Sequence, residues 1–159
     1  MTFERREGVE WVFRLKPRER ELLLSVLGFR KHFPRQSLAI SRDPDTATDL
    51  CEAGQDLNSS LAAHWGLVAK SVDRMLKDPV RCRGIDGGHE LLMDSDQVHG
   101  LLQALNDVRL RAWEKLGRPD VETGVVLKIG SDNIVGLRVL QLTALFQGSL
   151  LEALDQNAS

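Results

Sequence analysis

The stretch SDQVHGLLQALNDVRLRAWEKL, residues 95–116, has the strongest pattern in the chain, and the rest of the fold is expected to pack around it. Its apolar residues recur at steps of three and four, the period of one helix face. Ser95 is the predicted N-cap, and Gly117 followed by Pro119 ends the helix. The predicted apolar face comprises Val98, Leu101, Leu102, Leu105, Val108, Ala112, Trp113 and Leu116.

Polar residues interrupt that apolar face. Placing successive residues about 100° apart puts Arg109 inside the face and Asn106 at its edge. A buried guanidinium without a partner is very costly, so Arg109 is expected either to bond a carboxylate or carbonyls away from solvent or to reach past Trp113 to the surface. Asp107 and Arg111 are expected to form an exposed i, i+4 pair. The predicted binding residues are Asn106, Arg109 and Trp113, read either as an internal network that fixes helix register or as a site for an anion or a peptide carboxylate.

Size and composition predict a single soluble, cytoplasmic domain over residues 1–159. The chain is 42% hydrophobic and 28% charged, and no apolar run approaches the length needed to span a bilayer. No secretory signal follows its charged start. A net charge of −2 and a pI near 6.1 give no general attraction for nucleic acid. Cys51 and Cys82, far apart and outside any CxxC motif, predict reduced thiols.

Two stretches have the patterns of strands. Residues 9–15 alternate apolar with polar side chains, and residues 89–93 form a second short strand after a turn at Gly84, Gly87 and Gly88. The two strands are expected to pair, since a lone strand leaves its backbone groups without partners. The predicted fold class is therefore mainly α, a single-domain helical bundle with a small two-stranded antiparallel sheet.

Two further helices are predicted before residue 80. One begins at Pro17, the favoured first position of a helix, and ends near Pro34. The second covers 50–77, with residues 58–60 able to divide it in two because they are good N-caps. A connecting loop is expected over 34–48.

The last predicted helix, over 134–155, is apolar on nearly every side. One packing face is expected to run through Leu137, Leu140, Ala144 and Leu151. A surplus stripe beside it would stay bare in a chain this short, and two-fold pairing is the commonest way to bury such a stripe. The prediction is a homodimer through this helix, with a central core helix of a monomer as the alternative; the surplus stripe comprises Val135, Val139, Leu142 and Phe146.

No motif for catalysis or for a cofactor stands out. The acids Asp43, Asp45, Asp49, Glu52 and Asp56 lack the spacing of a calcium loop and are read as a solvated helix face. The glycines near residue 87 lack the lysine of a phosphate loop, and there is no nucleophile elbow. No metal or cofactor is expected, and a non-enzymatic role is preferred, with an enzyme kept as part of the alternative function.

Three segments carry a resemblance. FERREGVEWVFRLKPRERELLLSVLG, ALNDVRLRAWEKLG and LFQGSLLEAL resemble, in the same order, segments of the bacterial family "domain of unknown function 2017". The most specific parts are residues 106–110 and 147–150. The family has no assigned activity, and its members often lie near genes of the Clp protease adaptor system. The resemblance thus implies a bacterial protein with a link to Clp proteolysis.

Two classes of function remain open. The first is a non-enzymatic interaction or regulatory module that presents an apolar helix face to its own copy or to another protein. The second is an anion-binding or peptide-carboxylate-binding protein, or an enzyme, centred on Arg109 and Asn106. A flat apolar patch would favour the first class, and a polar pocket with converging donors would favour the second.

Overall fold

The computed structural model describes the backbone of residues 1–5, 11–33, 47–118 and 131–156, and side chains in these ranges apart from 47–54 and 131–132. The described protein is mainly helical, as the sequence predicted. Its elements in chain order are β1 (Thr2–Arg5), β2 (Trp11–Leu15), α1 (Pro17–Gly28), a 3-10 turn (Phe29–Lys31), α2 (Ala47–Lys77), β3 (Cys82–Ile85), β4 (Gly88–Met93), α3 (Ser95–Lys115) and α4 (Ser131–Gln156).

The sheet has four antiparallel strands in the order β1-β2-β4-β3, so the prediction of a two-stranded sheet is wrong. The predicted pair forms its centre, with Phe13 opposite Leu91 and Trp11 opposite Met93. The two strands that the predicted sheet lacked are edge strands of four residues each. Edge strands tend to be short and charged, which discourages pairing with other molecules. Four mostly exposed residues are too few to show a period.

One face of the sheet packs on the helices and contributes to the core. Phe13 is fully buried and meets Phe146 of α4 edge to face, with ring centroids 6.5 Å apart. Phe3 extends the same face by stacking on Trp11 at a centroid separation of 4.9 Å. The architecture is therefore a layer of helices against an antiparallel sheet, the usual way to bury one face of each.

The β3–β4 hairpin depends on two glycines. Ile85 pairs with Gly88, which leaves Asp86 and Gly87 as a two-residue turn. Gly87 has a φ of +80°, a conformation that glycine adopts without steric cost. Gly88 lies so close to the carbonyl of Leu15 that a side chain there would collide with the backbone of β2. The turn predicted from these glycines is confirmed, with Gly84 inside β3.

Helix α3 begins one residue earlier than predicted, because its N-cap is Asp94 and not Ser95. The Asp94 carboxylate accepts the Gln97 backbone N–H at 2.8 Å, and the Gln97 side-chain oxygen accepts the Asp94 N–H at 3.0 Å. This reciprocal capping box satisfies two backbone donors, an arrangement that Ser95 lacks with the residue three positions on. The predicted end is confirmed, since Gly117 has a φ of +82° and its N–H bonds the Glu114 carbonyl at 3.0 Å.

The start of α1 and the end of α2 agree with the sequence, whereas α1 ends at Gly28, before the predicted end near Pro34, and a 3-10 turn follows it. Pro17 opens α1 as predicted, and the Glu19 carboxylate accepts the N–H of Lys16 at 2.8 Å. Helix α2 is continuous, so residues 58–60 do not divide it. Leu57 near its start is half exposed, whereas Met75 near its end is buried. The predicted loop lies outside the described residues up to position 46, as do Asp43 and Asp45, and the side chains of Asp49 and Glu52 are likewise not described.

Helix α4 faces the core with two residues of the stripe that the sequence predicted to be bare, Val139 and Phe146, whereas Val135 of the same stripe is 43% exposed. Val139 and Phe146 are each 1% exposed, whereas Leu151, predicted to pack inside, is 51% exposed. Ala144 is exposed as well. The two stripes are equally apolar, so periodicity alone does not choose between them. The contact of the Phe146 ring with Phe13 determines which side of α4 faces the core.

Residues Asn133–Gln156 of α4 form a helix long and apolar enough to cross a membrane by length and composition. The expectation that no such run exists is therefore corrected. The share of this helix's most apolar window that is buried in the protein is 28%. A core helix passes the same test, so the finding is weak evidence for a membrane span.

Candidate binding face on helices α3 and α4

The three predicted binding residues, Asn106, Arg109 and Trp113, line one cleft between α3 and α4. Its volume is about 360 Å³. They occupy successive turns of α3, which brings their side chains to the same edge of the helix. The other lining residues are Leu110, Leu140 and Ala144.

Arg109 is exposed, so the expectation that its head group is bonded away from solvent is wrong, and the alternative, that it reaches the surface, holds. Its Nη1 lies 3.5 Å from the Gln147 side-chain oxygen, at the outer limit of a hydrogen bond. Helix α4 covers the centre of the α3 apolar face, and Arg109 lies at the seam, where its long side chain reaches water. The guanidinium therefore has N–H groups available to donate to an additional anion or carbonyl.

The buried charge of α3 is Asp107, which is 1% exposed, and the expected exposed Asp107–Arg111 pair is a second correction. Arg111 Nε donates to the Asp107 carboxylate at 2.9 Å, and Arg30 Nε lies 4.0 Å from the same oxygen. Arg111 also donates to the Phe33 carbonyl at 2.9 Å. The 3-10 turn packs on α3 and covers this side of the helix. The periodicity of α3 alone does not predict that burial. The cluster joins α3 to the 3-10 turn and to Phe33 beyond it.

A second buried carboxylate, Glu90, lies on the sheet opposite Arg14 in the β2–β4 register. Arg14 Nε donates to it at 2.9 Å and Arg83 Nη2 at 2.6 Å, so this side chain links three strands. The hydrogen bond to Glu90 raises the pKa of Arg14, more than partial desolvation lowers it. Because Glu90 pairs with both arginines, we assign this cluster a structural role and not a ligand-binding one.

Helix α4 turns several large apolar side chains to the outside. We call this the α4 outer face; its most exposed large side chains are Leu145 at 54% and Leu151 at 51%. Ile134 continues it toward the start of the helix, and Leu110 of α3 borders it across the cleft. Exposed large apolar side chains grouped on one helix are candidates for a contact surface.

Charged and small residues alternate with the leucines of the α4 outer face. Arg138 lies toward the start of α4, and Glu152 and Asp155 lie toward its end, all three exposed. Among the described residues, Arg138 and Glu152 have no ion-pair partner. Gly148 is exposed, and a Cβ there would meet nothing within 4 Å. The face is open enough for another helix to approach closely.

Within the described ranges no three His, Cys, Asp or Glu residues are grouped so that they could hold a metal ion. The cleft between α3 and α4 offers apolar contact, the exposed guanidinium of Arg109 and the amide of Asn106. These groups can recognise a peptide or a helix, and none of them is paired with a base as a nucleophile would need to be.

Neither a family model, a curated protein nor a solved structure matches this chain. The resemblance to "domain of unknown function 2017" and the link to Clp proteolysis stay predictions.

Proposed function

We propose that this chain is a non-enzymatic interaction module that pairs with a second copy of itself through the α4 outer face. The observation that carries the proposal is the self-complementary order of side chains along that face. Arg138 lies at one end, Gln141, Leu145 and Gly148 lie between, and Glu152 lies at the other end. The partner that best complements such a surface is the α4 outer face of a second copy, in antiparallel orientation.

The spacing supports a two-fold pair. Arg138, Leu145 and Glu152 are seven residues apart, two helical turns each, so they follow one line along the helix. In an antiparallel pair whose axis passes Leu145, Arg138 of each copy would face Glu152 of the other. A parallel pair would instead set like charges against each other. The antiparallel arrangement thus offers two ion pairs around a leucine contact, the isologous pattern of a two-fold dimer.

The size of the face indicates a weak or moderate association. A helix of 26 residues is about 39 Å long, and a strip about 10 Å wide along it covers about 400 Å². A stable interface buries about 800 Å² per partner. The α3 side of the cleft, with Leu110 and Trp113, adds to the contact area. We expect a dissociation constant in the micromolar range.

A membrane is a less favourable occupant for the same face. Arg138 and Glu152 lie in line with its leucines, and a bilayer would leave both charges without partners at high cost. The antiparallel pair neutralises both. Membrane binding is therefore an outcome that the test below must distinguish.

The second class of function, an anion or peptide-carboxylate site at Arg109 and Asn106, has narrower support. Both residues line the cleft, but a single exposed guanidinium screened by water contributes little affinity by itself. This site would serve best as a polar rim to the apolar contact, where it would favour an acidic partner.

Sedimentation equilibrium tests the proposal. The wild-type mass should rise from 17.8 kDa toward twice that value as concentration increases through the micromolar range. Leu145→Glu should stay at the monomer mass with an unchanged circular dichroism spectrum, because it brings two carboxylates together at the axis. Leu57→Glu, at a similarly exposed leucine on α2, is the matched control and should associate like the wild type.

Three results would contradict the proposal. The first is a wild-type mass that stays at 17.8 kDa at every concentration. The second is association that survives in Leu145→Glu, which would locate the interface elsewhere. The third is co-sedimentation of the wild type with phosphatidylcholine vesicles that Leu145→Glu abolishes, which would make the face a lipid contact.

A further inference from the structure

A second cavity lies away from α4, where the end of α1, the 3-10 turn, α2 and α3 meet. Its volume is about 230 Å³. The walls are formed by buried or half-buried aliphatic side chains from three helices. They are Leu24, Leu27, Val72, Leu76, Ala104 and Val108.

The rim of this cavity is cationic. Arg30, Lys31 and Lys70 line it, and Asp73 is the single acid among the described lining residues. Asp73 is paired with Lys77 at 3.0 Å, which offsets its charge. Lys31 and Lys70 have no ion-pair partner within the described part of the chain. A positive rim on a chain whose net charge is −2 is a local feature that favours an anion.

Arg30 is held at the rim by two elements. Its Nη1 donates to the Trp65 carbonyl of α2 at 3.4 Å, and its Nε lies 4.0 Å from the Asp107 carboxylate of α3. Both contacts are long, and Arg111 is the closer partner of Asp107. The guanidinium is thus positioned over the cavity while it keeps donors free for a ligand.

We propose that this cavity binds a small soluble amphiphile, a single unbranched alkyl chain that ends in a carboxylate. The aliphatic walls would take the chain, and the three cations would take the head group. One liquid water occupies about 30 Å³, so the space corresponds to about eight heavy atoms. That size suits a chain of about eight carbons and excludes a two-chain membrane lipid.

Gly28 provides a way to fill the cavity without disturbing the fold. It lines the cavity at the end of α1, its φ is −64°, and a Cβ there would meet nothing within 4 Å. Gly28→Leu should therefore fold at least as stably as the wild type. Gly66→Leu is the matched control, since Gly66 has equal open space on α2 but does not line the cavity.

The test is a titration of the full chain with sodium octanoate, followed by ¹H–¹⁵N NMR shifts. Octanoate should bind in one-to-one stoichiometry and shift amides of α1, α2 and α3 around the cavity. It should bind about tenfold more tightly than either octylammonium or butyrate, because each comparison ligand lacks the charge or the chain length. Gly28→Leu should lose octanoate binding, and Gly66→Leu should keep it.

Charge reversal tests the rim separately. The double variant Lys31→Glu, Lys70→Glu should weaken octanoate about tenfold or more and should favour octylammonium instead. Equal binding of octanoate and octylammonium, octanoate binding that survives Gly28→Leu, or the absence of any saturable shift at millimolar octanoate would each overturn the proposal. These outcomes do not depend on α4, so they are separate from the test of self-association.

Discussion

Asp107 and Arg109 are two positions apart on α3, yet one is buried and the other is exposed. Asp107 faces the 3-10 turn and takes Arg111 and Arg30 as partners, whereas Arg109 opens to water beside Gln147. An uncompensated charge inside a protein is far more costly than one at its surface. Substitutions at the two positions should therefore differ sharply in their effect on stability.

We expect Asp107→Leu to lower the free energy of unfolding by about 3 kcal/mol, because it leaves Arg111 without its carboxylate in a largely buried place. Arg109→Leu should change it by about 0.5 kcal/mol or less. Urea denaturation followed by circular dichroism measures both. Similar losses in the two variants would mean that Arg109 and not Asp107 is the structural charge.

Additivity gives an internal control for the Asp107–Arg111 pair. The double variant Asp107→Leu, Arg111→Leu should cost clearly less than the sum of the two single variants, since neither charge is then left unpaired. Strictly additive losses would show that the two side chains do not interact.

At the scale of elements, prolines and glycines predicted where helices begin and end more accurately than hydrophobic periodicity did. Pro17 begins α1 and Gly117 follows the end of α3, as the sequence predicted. Each has a backbone conformation that few other residue types adopt. The central strand pair was found for a similar reason, since five alternating residues establish a face. The edge strands were left out of the predicted sheet because each has four mostly exposed residues, too few to establish an alternating pattern. Asp94 was missed because two neighbouring residues were both good caps.

The hairpin glycines lead to a prediction at the same scale. Gly88→Ala should destabilise the protein by about 1–3 kcal/mol, because its methyl group would press on the Leu15 carbonyl and separate β4 from β2. Gly84→Ala in the partner strand should be neutral or slightly stabilising, since a Cβ there meets nothing within 4 Å. Thermal melting compares the two. An equal loss in both would place the strain in the strand conformation and not in this close approach.

At the scale of the whole molecule, the sequence identified α4 as apolar beyond the needs of one packing face but did not identify which of its residues pack inside, since Val139 and Phe146 are buried and Leu151 is exposed. Which stripe packs inside depends on the shape of the sheet beneath, chiefly the ring of Phe13, and no local pattern contains that information. The three predicted binding residues do line one cleft, although Arg109 lies there at the surface. The cationic cavity was not foreseen, because its lining comes from separate elements that meet only in the fold.

Self-association through the α4 outer face is the central claim, and a charge-reversal series measured by sedimentation equilibrium tests it most directly. Arg138→Glu alone and Glu152→Arg alone should each weaken the dimer, because each sets like charges opposite one another. The double variant Arg138→Glu, Glu152→Arg should restore the wild-type dissociation constant to within about threefold, since the two ion pairs are re-formed in reverse. A double variant as weak as the sum of the single variants, or single variants that associate like the wild type, would contradict the antiparallel pair.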